Sequence, residues 1–351
     1  MDKKQYSDER MLYLGKNESL SYKTGKIIYR DHEKLQKTKI GGIFNCSTLF
    51  ERLTRKEPRC AAKVDDDHIL FSFDGHVWSY CISNNTVSTE HAFAKGMNNP
   101  LEFLVIYDPA SGEKIVFYGE YIWNGEKGPV DIYRRKNGSW ERIYSFSEKT
   151  ITHIHNIFFD EYRNGFFILT GDEDTESGIW FADYSFKSVK PVLVGSQQYR
   201  SCVAFPDEKG LYYATDTPLE KNYIYRVELD ADMNVIDHKK VYDMPGPCIY
   251  GCRHNENMYF STSVEPDSSL PAWRYRLTYK HGTGIKNRYT HIIKGSNDGK
   301  FDDIFQFKKD WLPIWLFQFG NAIFPKNETK ELYAVLQSTE QGHGVTVIIT
   351  R

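Results

Sequence analysis

From residue 68 onward the chain alternates short apolar runs with turn-forming residues, at intervals of about 8–12 positions, which is the pattern of β-strands joined by tight turns. His68-Ile-Leu-Phe-Ser-Phe73, the pair Asp74-Gly75 and His76–Cys81 read as a hairpin on an Asp-Gly turn. The unit recurs at Lys114–Tyr121, Val130–Arg135 and Trp140–Phe146, the last two separated by Asn137-Gly138. Residues 153–183 hold three further runs rich in Ile, Phe and Trp, with polar groups at their ends. Trp273–Tyr279, Leu316–Phe319 and Val345–Thr350 are among the later strands this reading predicts. One short helix is expected near Ser47–Thr54, where Ser47 is a suitable N-cap and Glu51 stands near the capping-box position.

More than about twenty strands are too many for one sandwich. Four strands per blade over about 50 residues give about seven blades, so the pattern predicts an all-β protein: a single closed propeller over residues 1–351. Residues 1–40 would supply the N-terminal strands and the ring closure, with Val345–Thr350 as the C-terminal contribution. Aromatics at 15%, with 24 Tyr and 22 Phe, support strands over helices.

Charge and cysteine usage narrow the function classes. A formal charge of −2 gives no global field for nucleic acid or an anionic membrane. The first ten residues are polar, and no apolar run approaches the length of about 20 residues that spans a bilayer. The six cysteines are scattered, which suits reduced thiols, and a cytoplasmic protein is expected. Cys248 and Cys252 lack the second close pair of a zinc site and read as small buried residues.

Certain polar residues recur at strand ends about once per blade: Glu120, Tyr121, His153, His155, Asp172, Tyr199, Arg200, Asp216, Arg253 and Glu265. Ring symmetry would point equivalent positions at one funnel, although polar channel lining is expected in any propeller. His153 and His155 share one strand face and suit acid–base work or a metal. As no third ligand is fixed beyond Asp172 or Glu120, no cofactor is expected, and a divalent metal at the pair is the alternative. Arg200 and Arg253 would clamp a carboxylate, or pair with Asp216 and Glu265. Trp123, Trp180 and Trp315 are candidates for stacking on sugar faces.

Asn137-Gly-Ser-Trp140 and Ser296-Asn-Asp-Gly-Lys-Phe301 resemble degenerate Asp-box turns, which lie between outer propeller strands. With Gly119-Glu120-Tyr121, His153-Ile-His155, Thr170-Gly-Asp172, Gln198-Tyr-Arg200 and Tyr250-Gly-Cys-Arg253, the chain resembles the BNR/Asp-box, sialidase-like propellers. That resemblance implies a propeller but no single reaction. The sialidase arginine triad and its Tyr/Glu pair have no counterpart here. The residue types instead suggest a lyase on a uronate-containing oligosaccharide or polysaccharide. In it His153 or His155 removes a proton, with His155 the expected base, Tyr121 or Tyr199 protonates the leaving oxygen, and Arg200 or Arg253 neutralises the carboxylate. The alternatives are a glycoside hydrolase using two carboxylates among Glu120, Asp172, Asp216 and Glu265, or a non-catalytic propeller that binds glycan or protein.

Overall fold

The computed structural model describes residues 5–42, 45 and 47–349. Its strands form seven sheets, antiparallel but for one short parallel pair, with 52% of residues in strands and 5% in helices. Taken in chain order, six blades cover residues 10–39, 61–92, 104–146, 154–194, 201–244 and 248–308. The seventh combines Asn321–Ile323, Leu332–Gln337 and Val345–Ile349 with Gln5–Ser7 as its outermost strand. The ring therefore closes by pairing the two chain ends, Gln5 opposite Val347. Residues 10–39 make a complete first blade rather than only a closure region, and Lys326–Asn327 pairs in parallel beside its inner strand. Thr350 and Cys46 lie outside the described residues; the other five cysteines are free thiols.

Two-residue turns with both φ positive close several hairpins, as at Asp74-Gly75 and Asn137-Gly138. Asn137-Gly138 and Ser296–Lys300 both join the third and fourth strands of their blades, blades 3 and 6. The Asp-box expectation of equivalent outer turns is met at these two places.

Each blade buries both faces. In Gly165–Thr170 of blade 4, Phe166 and Ile168 pack towards blade 3 while Phe167 and Leu169 pack towards blade 5. This is why the strand reads as a continuous apolar run rather than an alternation. Seven apolar clusters, one between each neighbouring pair of blades, make up the core.

Two predicted strands are not strands. Trp273–Tyr279 is largely the helix Ala272–Leu277, inside a long excursion between the second and third strands of blade 6. Leu316–Phe319 lies in turns. Both runs are short, and the helix buries none of its residues. The helix Thr48–Thr54 forms as expected, and the Ser47 hydroxyl accepts from the Phe50 amide. No described helix is long and apolar enough to cross a membrane.

Phe166 is fully buried between blades 3 and 4. Phe166→Ala is expected to cost about 3–5 kcal/mol, read as a lowered urea midpoint with an unchanged slope; a loss below about 1 kcal/mol would contradict this packing.

Candidate active site

Inner strands of adjacent blades run side by side, so the start of each first strand lies beside the end of each second strand. Acidic residues follow the second strand in four consecutive blades: Glu120, Asp172, Asp216 and Glu265. His153, His155 and Arg200 stand at first-strand starts in blades 4 and 5. The result is one cluster at one mouth of the channel.

Its centre is Asp172 Oδ1. Arg200 Nη2 lies 2.9 Å away, His155 Nε2 3.3 Å and His153 Nε2 3.7 Å. The two imidazole rings are 4.7 Å apart, and Tyr121 meets them edge-on at 5.0 Å and 6.0 Å. Arg200 also reaches Asp216 at 3.7 Å, and the Cys202 thiol donates to Asp216 at 3.2 Å. Burial raises the Asp172 carboxyl, but the Arg200 charge and the imidazoles outweigh it and hold it well below the usual range.

The turn carrying Asp172 is fixed from behind. Gly171 has φ +97°, and a Cβ there would come within 2.5 Å of the Glu176 and Ser177 backbone. Buried Glu176 accepts from the Asp172 amide at 3.2 Å and from the Thr152 hydroxyl at 2.6 Å, and pairs with Lys127 at 3.1 Å. The Gln197 amide donates to the Asp172 carbonyl at 2.8 Å.

The two histidines differ. His155 Nδ1 lies 2.9 Å from the Ser201 carbonyl and its Nε2 3.3 Å from Asp172 Oδ1, so the ring is held between two acceptors. His153 Nε2 is buried without a hydrogen-bond partner. Burial, reinforced by the neighbouring His155, lowers the His153 pKa to about 4, so its ring is neutral at ordinary pH. Glu265 shows the opposite shift: burial, then the negative charge of Asp216, pushes it up to about 8. The Ser263 hydroxyl bonds to its carboxyl group. Asp216 is raised as well, first by burial.

His153 Nε2, His155 Nε2 and Asp172 Oδ1 all lie within 4.8 Å of one another. Three potential ligand atoms facing each other, with His153 Nε2 lacking any hydrogen-bond partner, fit the donor set of a divalent cation. His155, Cys202 and Asp216 make a second such triple, fully buried.

Four predicted site residues lie or act elsewhere than expected. Arg253 is at the far end of its inner strand, exposed, bonding to the Pro206 carbonyl and Asn297; it lies at the opposite mouth because it is five residues down the strand from Cys248. Tyr199 turns outward to His238, 5.7 Å between rings, drawn into the aromatic group of Tyr213 and Tyr225. Glu120 turns into blade 3, where it accepts from the Asp131 amide at 2.9 Å; burial raises its pKa. Arg200 is in the cluster, but Asp172 and Asp216 already share its charge, so it holds the site together rather than waiting for a carboxylate.

Sequence reasoning passed over Arg59, whose guanidinium is 5.8 Å from the Tyr121 ring. It also passed over Tyr275 of the blade 6 helix, whose phenol feels the charges of Glu265, Arg55, Arg200 and Asp172 and is pushed by burial to about 12. The signal for Tyr275 was the run of Trp, Arg and Tyr at 273–276, read as a strand. A cavity of about 460 Å³ lies at the opposite mouth beside Arg253, Phe205 and Phe324. A smaller one of about 100 Å³ runs past Arg59 and Tyr121. The convergence of shifted titrating groups marks the His153 mouth as the candidate site.

No family model matches the sequence, and no curated protein matches it, so the likeness to BNR/Asp-box proteins extends to the propeller fold and no further. Among solved structures, an oligogalacturonate lyase in complex with manganese superposes with TM-score 0.53 at 9% identity, covering 100% of this chain and 96% of that one. The oligogalacturonate lyase of Vibrio parahaemolyticus gives 0.54 at 9%, covering 98% and 92%. A prolyl endopeptidase gives 0.54 at 10%, covering 95% of this chain but 47% of that one. At such identities the likeness shows the shared propeller alone.

Gly171→Ala is expected to lose about 1–3 kcal/mol of stability, because the left-handed backbone and the Glu176 contact both resist a side chain. Urea unfolding measures it; an unchanged midpoint would mean that the Asp172 turn is not held as described.

Proposed function

We propose that the chain is a lyase that cleaves a uronate-containing oligosaccharide by β-elimination. The observation that carries this reading is the crossed protonation at one mouth. A buried imidazole, His153, is bare at neutral pH, and a buried carboxyl, Glu265, is protonated there. Pairs of groups whose environments drive their pKa values apart identify the base and the acid.

His153 Nε2 takes the proton α to the uronate carboxylate. The electron pair forms the carbon–carbon double bond as the glycosidic C–O bond breaks, and the Glu265 proton passes to the leaving oxygen. His155, expected as the base, has one nitrogen committed to Ser201 and the other facing Asp172; it orients the site instead. Arg59, beside Tyr121 and without a carboxylate partner among the described residues, is the cation for the uronate carboxylate. The neighbouring structures titled oligogalacturonate lyase agree with this substrate class at the level of fold.

A second reading is favoured by the convergence of His153 Nε2, His155 Nε2 and Asp172 Oδ1 to within 4.8 Å of one another. Here His153, His155 and Asp172 hold a divalent cation, which would supply positive charge for the uronate carboxylate, and His153 is a ligand rather than the base. One of the structural neighbours is itself described as a complex with manganese.

Incubation with oligogalacturonates should produce the ultraviolet absorbance of an unsaturated uronate. In the first reading kcat/KM is bell-shaped: it rises as His153 loses its proton near pH 4 and falls as Glu265 loses its proton near pH 8. Glu265→Gln and His153→Ala should each lower the rate by about 10²–10⁴. Unchanged activity after chelation supports the first reading; loss on chelation with recovery on adding manganese supports the second. Absence of the ultraviolet signal with any acidic oligosaccharide would sink both.

A further inference from the structure

The mouth that carries the His153 cluster is roofed by three excursions: residues 47–59, 263–288 and 309–320. They brace one another. Arg52 donates to the Phe317 carbonyl at 2.7 Å and pairs with Asp310 at 2.7 Å, and the Ile314 amide donates to the Thr278 carbonyl at 3.0 Å. In sequence they contain ten Lys and Arg against five Asp and Glu, a net of +5, in a chain whose total is −2. The remaining residues therefore carry 35 against 42, a net of −7. These three excursions are therefore net positive while the rest of the chain is net negative.

Within the roof, two guanidiniums share one indole. Arg55 lies 5.0 Å from the Trp315 ring and Arg276 lies 5.2 Å from it. Both side chains belong to exposed residues, and among the described residues neither has a carboxylate within ion-pair distance, unlike Arg52 one turn earlier. Arg55 is further fixed by its 2.7 Å bond to the Trp315 carbonyl. Two guanidiniums at one indole, neither with a carboxylate partner among the described residues, offer planar donors to an anion. Trp273 and Trp311, 69% and 77% exposed, offer flat apolar faces on the same excursions. Tyr275, with its ring 6.5 Å from Trp315, feels the charges of Arg55 on one side and of Arg200, Asp172 and Glu265 on the other, so the guanidinium pair adjoins the reaction centre.

We infer that Arg55, Arg276 and Trp315 form a remote subsite that binds the carboxylate of a second acidic sugar, so that the protein takes extended polyanionic chains rather than single acidic sugars. This rests on the proposed lyase reading for its substrate class. Guanidinium pairs with carboxylate in a planar, two-point geometry, and the exposed indoles suit the flat faces of sugar rings.

The test measures binding by calorimetry in full-length Glu265→Gln protein, which keeps a neutral side chain but has no proton to donate. The probes are hexagalacturonate, digalacturonate and a neutral galactose hexasaccharide. Hexagalacturonate should bind at least about tenfold more tightly than either of the others, and Arg55→Ala with Arg276→Ala should remove that advantage. Arg55→Lys with Arg276→Lys, which keeps the charge but loses the planar fork, should retain part of it. A circular dichroism melt confirms that each variant is folded. Equal affinity of the double alanine variant for hexagalacturonate overturns the subsite, as does equal binding of the neutral hexasaccharide, or no binding of hexagalacturonate. Because turnover plays no part in this measurement, a missing ultraviolet signal in the wild-type protein contradicts the lyase reading alone, and an unchanged affinity contradicts the subsite alone.

Discussion

Every blade of this protein is apolar on both faces, and only a closed ring leaves no such face uncovered. Phe166 and Phe167, adjacent in one strand, belong to two different interfaces, so neither blade 3 nor blade 5 can be dispensed with. The pairing of Gln5–Ser7 with Val345–Ile349 completes the seventh blade and the ring. Closure also fixes the chemistry, because the ring sets second-strand ends beside first-strand starts and so brings Asp172, Asp216 and Glu265 together around Arg200.

Within the cluster, the ordering of charges follows from burial and from one strong cation. Arg200 keeps Asp172 ionised although burial opposes it, and Asp172 in turn faces both imidazoles. Burial, then the negative charge of Asp216, pushes the Glu265 carboxyl up to about 8. His153 has burial, His155 and Arg200 acting in one direction, against only Asp172 and Glu176 in the other, and it stays bare. Burial and neighbouring charge thus drive His153 and Glu265 in opposite directions, with no positive φ at either residue.

The strand–turn pattern made the propeller, its blade number and the closure by chain ends legible, because each blade repeats the same two periodicities. The identity of the mouth was partly legible: His153, His155, Asp172, Asp216 and Glu265 do converge. Side-chain direction was not. Glu120 and Tyr199 occupy the right strand ends, but one finds the Asp131 amide and the other an aromatic cluster, partners that lie far off in sequence. Arg253 was placed by residue type rather than by its distance along the strand. The roof was hidden because Trp273–Tyr279 and Leu316–Phe319 are short and apolar, and periodicity cannot separate such runs from strands.

Side-chain carboxyl NMR of ¹³C-glutamate-labelled protein, with Glu265→Gln to assign the signal, tests the central claim most directly. The account predicts that the Glu265 resonance titrates near pH 8, well above the range of an ordinary glutamate. A resonance that titrates at or below 4.5 would show an ordinary ionised carboxylate at that mouth, and the acid–base assignment would fall with it.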